Sequence, residues 1–167
     1  VALTTINTGT NTILTLGNAT SGGLLWNGLN SVLNLAANTM TIRGGAVVTN
    51  TATGKIDAAD ATINIVKSAG ATHAGTLRFV TDATLANLNV NLDPVVARDS
   101  ILIADDVFIS GTLTLTKGKV VMAAGKTLSM NAGSAVSGGN LLSFVDGTMA
   151  KFGNTDFGFP VGKGSKF

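Results

Sequence analysis

The chain has 167 residues, of which 45% are hydrophobic and only 12% charged, and 11 Lys and Arg against 9 acids leave a formal net charge of +2. An average globular protein carries about twice that share of charge, and disorder, which needs low hydrophobicity and high charge, is excluded. Cys, Tyr, Glu and Gln are absent. Disulfides and thiolate metal sites are therefore excluded, and what remains, rich in Thr, Ala, Gly, Leu and Asn, suits pleated strands and turns rather than a helix bundle.

The basic residues are dispersed, with only Lys151, Lys163 and Lys166 gathered near the end. Nucleic-acid binding needs clustered Lys and Arg, so no nucleic-acid partner is expected. No run of 18 apolar residues is present, so no helical membrane span is expected. No signal peptide is visible. The chain opens at Val1 inside strand-like sequence and stops at Phe167 after a glycine-rich stretch. It reads as one β-solenoid segment, 1–167, belonging to a longer polypeptide.

In chain order the dominant signal is alternation with a period of two. Ile13–Leu16 is followed by Gly17-Asn18, and Val32–Leu35 leads into Met40–Ile42 and Gly44-Gly45. Ala46–Thr49, Lys55–Asp57, Ala61–Ile65 and Thr76–Phe79 come next. In Leu85–Leu92, the residues Leu88, Val90 and Leu92 share a face. Ile101–Ile103, Val107–Ile109, Gly111–Thr116, Lys119–Met122, Thr127–Met130 and Leu141–Val145 complete the series. Leu24–Leu35 is the best helical candidate, and Asn27, Gly28, Asn30 and Ser31 weaken it.

Apolar pairs recur at short offsets, as in Leu35 and Ile42, Ile56 and Ile63, Leu115 and Met122, and Met122 and Met130, with Gly or Asn between most of them. That cadence fits short strands forming the sides of stacked coils of about 22 residues. The predicted fold is all-β, a right-handed parallel β-helix or irregular β-solenoid. The alternative is an antiparallel β-sandwich, for which Asn27-Gly28 and Asp146-Gly147 supply hairpin signals. The scarcity of large aromatics favours a narrow coil filled by Leu, Ile, Val and Met.

The last third carries a recognisable order of motifs. Gly111–Val120 (GTLTLTKGKV) is followed by Gly125–Met130 (GKTLSM), then Gly138–Met149 (GGNLLSFVDGTM) and finally Phe159–Phe167 (FPVGKGSKF). Residues 111–167 resemble a segment of very large secreted and surface-attached proteins of gliding and related Bacteroidetes-type bacteria. The resemblance implies export by the type IX secretion system and an extracellular or cell-surface location. It departs from the pattern where Phe167 stands for Tyr and in lacking the sorting domain. It implies no catalytic residue and no cofactor.

Individual residues add little chemistry. His73 is the only histidine and lies in the loop-like Gly70–Gly75, too isolated for a Ser-His-Asp arrangement or a zinc site. Asp105-Asp106 is the only adjacent acidic pair, and on a strand the two point to opposite faces rather than forming an acid–base dyad. Asp57 and Asp60 read as turn residues. Asp99 with Asp105-Asp106 gives only a weak cation signal. No catalytic or metal residue and no cofactor is assigned, and the chain is read as not an enzyme.

Thr112, Thr114 and Thr116 alternate with Leu113 and Leu115. With the leucines inward, three hydroxyls stand outward in a row, a candidate sugar contact together with Trp26. Ser100 in Asp99-Ser100-Ile101 fits the short O-glycosylation pattern of the resembled bacteria. The expected function is a structural segment, namely a stalk, adhesin segment or fibre subunit. Expected partners are copies of itself stacked end to end or neighbouring domains of the parent protein. The alternatives are a carbohydrate-binding module with a polysaccharide partner and, beyond it, a polysaccharide-degrading β-helix enzyme.

Overall fold

A computed structural model describes residues 13–16, 23–25, 32–43, 47–49, 54–67, 75–92, 100–164 and 166–167. The strands in the first half are β1 (Ile13–Leu16), β2 (Gly23–Leu25), β3 (Val32–Asn34), β4 (Thr39–Arg43), β5 (Val47–Thr49), β6 (Lys55–Asp57), β7 (Ala61–Lys67), β8 (Thr76–Leu77) and β9 (Thr84–Leu92). Those in the second half are β10 (Ser100–Ile103), β11 (Val107–Lys117), β12 (Lys119–Met122), β13 (Thr127–Met130), β14 (Ala135–Gly138), β15 (Val145–Asp146), β16 (Thr148–Lys151) and β17 (Val161–Gly162). No helix occurs among the described residues.

Pairings between these strands are parallel. The main sheet runs β1-β4-β7-β9-β11-β13-β16, with β14 also on β11, and a second runs β17-β15-β12-β10-β8. β2 pairs with β5, and β3 with β6. Sequence neighbours therefore lie in different sheets, and each strand pairs with the one about a coil later. The fold is a β-solenoid, and the sandwich alternative falls: Asp146-Gly147 joins β15 to β16 across two sheets instead of closing a hairpin.

One coil is clearest at β12, β13 and β14, three legs in succession, after which β15 returns onto β12. β11 is long enough to carry two legs, its first part pairing with β13 and its second with β14. Side-chain bonds between successive third legs span 23 and 25 residues, close to the expected coil length. The short apolar offsets are steps around one coil, since Leu115, Met122 and Met130 lie on consecutive legs.

Alternation decides which side chains enter the interior. Met40, Ile63, Leu88 and Leu113 stack in one register column, and Ile42, Ile65, Val90 and Leu115 in the next, all within 2% of complete burial. Ile101, Val120 and Val145 line the second sheet in the same way. Each such side chain contributes about 1.5–3 kcal/mol by leaving water, and no helix is needed to cover the face.

Tight turns make the corners. The N–H groups of Asn38, Ala61, Ala83, Lys126 and Ser134 donate to carbonyls three residues back. The third position of four of these turns has positive φ: Asp60 (65°), Asp82 (59°), Gly125 (73°) and Gly133 (79°). Asp tolerates that region through its short polar side chain, and Gly enters it without steric cost.

The structure corrects the sequence reading in three places. The helical candidate Leu24–Leu35 includes the last two residues of β2 and all of β3, while 26–31 fall outside the described residues. Leu141 and Leu142 lie in an exposed turn at 58% and 53% exposure, so the expected strand begins only at Val145. β14, β16 and β17, rich in Ala, Gly, Ser and Lys, were not anticipated.

Candidate functional site

The outer face of the third leg is a polar grid. Register places Thr41, Asn64, Asn89, Thr114 and Ser137 in one column and Thr39, Thr62, Asn87 and Thr112 in another. The Asn64 amide donates to Thr41 Oγ1 at 3.1 Å, and Asn89 Nδ2 donates to Asn64 Oδ1 at 2.8 Å. In the second column Asn87 Nδ2 donates to Thr62 Oγ1 at 3.1 Å, while its Oδ1 accepts the Thr112 N–H at 3.0 Å. Each amide thus joins one coil to the next. Identical periodicity in backbone and side chain holds the register of the ladder.

Thr112 and Thr114 stand outward in this grid, half-buried, as the alternation predicts. Thr116 does not extend their row in register. Leu115 pairs with Val90 and Lys117 with Asn91, so Thr116 is the extra residue of a bulge.

The adjacent acids sit at a corner with a cavity of about 210 Å³ lined by Lys55, Phe79, Asp82, Asp105, Asp106 and Lys126. They reach opposite ways along the rod. Asp105 accepts the Phe79 N–H at 3.1 Å and meets Lys55 Nζ at 3.1 Å. Asp106 accepts the Thr127 N–H at 2.8 Å and meets Lys126 Nζ at 3.1 Å. The Thr127 N–H, with Lys126, holds the Asp106 carboxyl below the usual carboxylate range. Three acids and two lysines meet here, and ion pairs and backbone amides engage the carboxylates of Asp105 and Asp106. The corner acts as a clamp between coils.

The motif residues of the last third converge on a second cluster. Phe144 is fully buried, with the Phe167 ring 6.0 Å away and Lys119 Nζ 5.0 Å above its own ring. Gly162 lies against that ring, where an added Cβ would meet Phe144 Cδ2 at 2.7 Å. Asp146 accepts the Gly164 N–H at 3.0 Å and pairs with Lys163 at 3.2 Å. The Gly164 N–H, with the lysines, holds the Asp146 carboxyl below its usual range against the opposing effect of burial. Val145 donates its N–H to the Pro160 carbonyl at 2.8 Å. The Phe-Val-Asp and Phe-Pro-Val-Gly-Lys stretches are two halves of one end structure.

This end also carries exposed apolar surface. Leu141, Leu142, Phe152, Phe159, Val161 and Phe167 are 40–58% exposed. A groove of about 490 Å³ lies between β14 and the segment 155–160. Beside it, Lys151 Nζ donates to the Asn131 and Ser134 carbonyls and stands 5.4 Å from the Phe157 ring.

Trp26, His73 and Asp99 fall outside the described residues. Ser100, the first residue of β10, is half-buried and paired in register with Lys119. Among the described residues no group of three or more His, Cys, Asp or Glu is placed to hold a metal ion. The inter-coil Asn ladder and the end groove were missed from sequence. The signal for the first was there, since Thr62-x-Asn64 and Asn87-x-Asn89 repeat the same polar phase 25 residues apart. No family model, no curated protein and no solved structure matches the chain.

Proposed function

We propose that the chain is a non-enzymatic structural segment of a secreted or surface-displayed bacterial protein, serving as a stalk, adhesin segment or fibre subunit. The observation that carries this reading is the continuous parallel stack whose outer polar side chains are themselves bonded from coil to coil. Such a stack is stiff because backbone and side-chain bonds run along the rod, and small polar side chains keep it hydrated with few charges. The acids Asp105, Asp106 and Asp146 are committed to inter-coil contacts rather than to a reaction centre. The resemblance of 111–167 supports export by the type IX route and a surface location. Its partners in this reading are copies of itself or neighbouring domains.

A second reading, carbohydrate binding, draws support from the outward Thr112 and Thr114 hydroxyls, with Thr116 on its bulge and Trp26 as further contacts. Glycosylation at Ser100 belongs to the same surface context. Electron microscopy of native material, with intact mass on the same sample, tests the main reading. Filaments or long rods are expected. Compact single particles of one chain would overturn the fibre form, and a mass equal to the sequence mass would remove the Ser100 modification. Binding to a polysaccharide array that Trp26→Ala abolishes would instead favour the second reading.

A further inference from the structure

Among the described residues, the coil of β15 and β16 has no third-leg strand. β16 continues the main sheet on β13 and β17 continues the second sheet on β15. The chain between them, Phe152 to Pro160, stands in sequence where a third leg belongs, yet β14 pairs only with β11 among the described strands. The groove of about 490 Å³ lies along that unpaired edge of β14, walled by Val136, Phe157, Phe159, Pro160 and Phe167, with Asp156 also lining it.

We propose that this groove is a docking site for an extended strand of another polypeptide, which pairs in parallel with β14 and completes the coil. The opposite edge of β14 specifies the occupant. There Thr112, Leu113, Thr114 and Leu115 pair with Ala135, Val136, Ser137 and Gly138. The same columns continue upward, so the incoming strand alternates apolar residues over Val136 and Gly138 with small polar residues outward. Strand addition takes affinity from main-chain bonds and specificity from side-chain pockets, and the phenylalanine walls supply the pockets. Asp156 makes no ion pair among the described residues, which favours a basic residue on the partner. The site stands on the fold alone, so its failure would leave the rod reading intact.

The probe is a fluorescein-labelled synthetic peptide with the sequence of residues 111–117, Gly-Thr-Leu-Thr-Leu-Thr-Lys, titrated into the full chain by fluorescence polarisation. Saturable binding is expected. Two further peptides carry N-methyl groups on the odd or the even residues. One pattern blocks the edge that faces β14 and should weaken binding at least tenfold, while the other binds like the parent. Phe159→Ala, a substitution at an exposed ring, should weaken binding severalfold with an unchanged circular dichroism spectrum. Asp156→Asn should reduce the salt dependence. A dimer of the chain that the peptide dissociates would identify a second copy as the donor and support the site. No saturation up to about 1 mM peptide, or equal binding of both N-methylated forms, would overturn it.

Discussion

Between β4 and β11 the third leg is held by repetition. Four inward residues per column stack on one another, and Asn64, Asn87 and Asn89 tie each coil to the next. Beyond Gly138 the strands shorten to two or four residues. Their register depends on single contacts: a ring against a glycine, a carboxylate on a backbone amide, an ammonium on two carbonyls. A regular region draws stability from many interchangeable neighbours, whereas an end draws it from a few that have no substitute. Repeat architectures behave in this nearest-neighbour way.

The largest expected difference separates two core truncations. Phe144→Ala should cost about 3–5 kcal/mol and Leu88→Ala about 2–5 kcal/mol. Hydrogen exchange distinguishes them: Phe144→Ala should release amides of 143–167 while those of β7 and β9 stay protected. Uniform loss of protection in both variants would break the comparison. Gly162→Ala should cost about 1–3 kcal/mol by overpacking, read as a lower urea midpoint, because its Cβ has no room beside Phe144. An unchanged midpoint would show that the end yields freely.

In the regular region Asn64→Ala removes both the donor to Thr41 and the acceptor for Asn89. A loss of about 1 kcal/mol is expected, and a loss near that of Leu88→Ala would mean that the ladder outweighs the core. The smallest effect is acidic. Asp106 and Asp146 have depressed carboxyl pKa values in the folded chain. Their contribution is present above the ordinary Asp range near 3.9 and is lost as pH falls through the folded values. Denaturation midpoints should therefore decline below about pH 4, less steeply in Asp106→Asn/Asp146→Asn, and a midpoint that rises toward acid would refute the assignment.

The same division governs what the sequence revealed. Wherever both faces of a strand differ, as in Leu88-Asn89-Val90-Asn91-Leu92, alternation identified the strand and its inward residues. Where the strand is built from small or mixed residues, as in Ala135–Gly138 or Val161–Gly162, alternation is silent and only neighbours from other coils define it. Leu141 and Leu142 misled for the converse reason, being apolar yet exposed. The outward Thr112 and Thr114 were legible from Leu113 and Leu115. The bulge that sets Thr116 aside was not, since it arises from a mismatch with β9. The end cluster was visible only as a motif order, because its contacts join residues 15 or more positions apart.

The coil of β15 and β16, without a third-leg strand among the described residues, has a mechanical consequence. Force along the axis of a solenoid pulls on the bonds between coils, and a complete coil shares the load over three legs. Among the described residues the coil of β15 and β16 has only two paired legs, so it should yield before the coil of β12, β13 and β14. A coil of 25 residues, such as that between Thr62 and Asn87, holds about 4.8 Å of rod length and releases roughly 85 Å of extended chain. Coil lengths vary, from 16 residues between Val145 and Val161 to 26 between Thr76 and Leu102, so the rod would lengthen in unequal increments, an extensible tether.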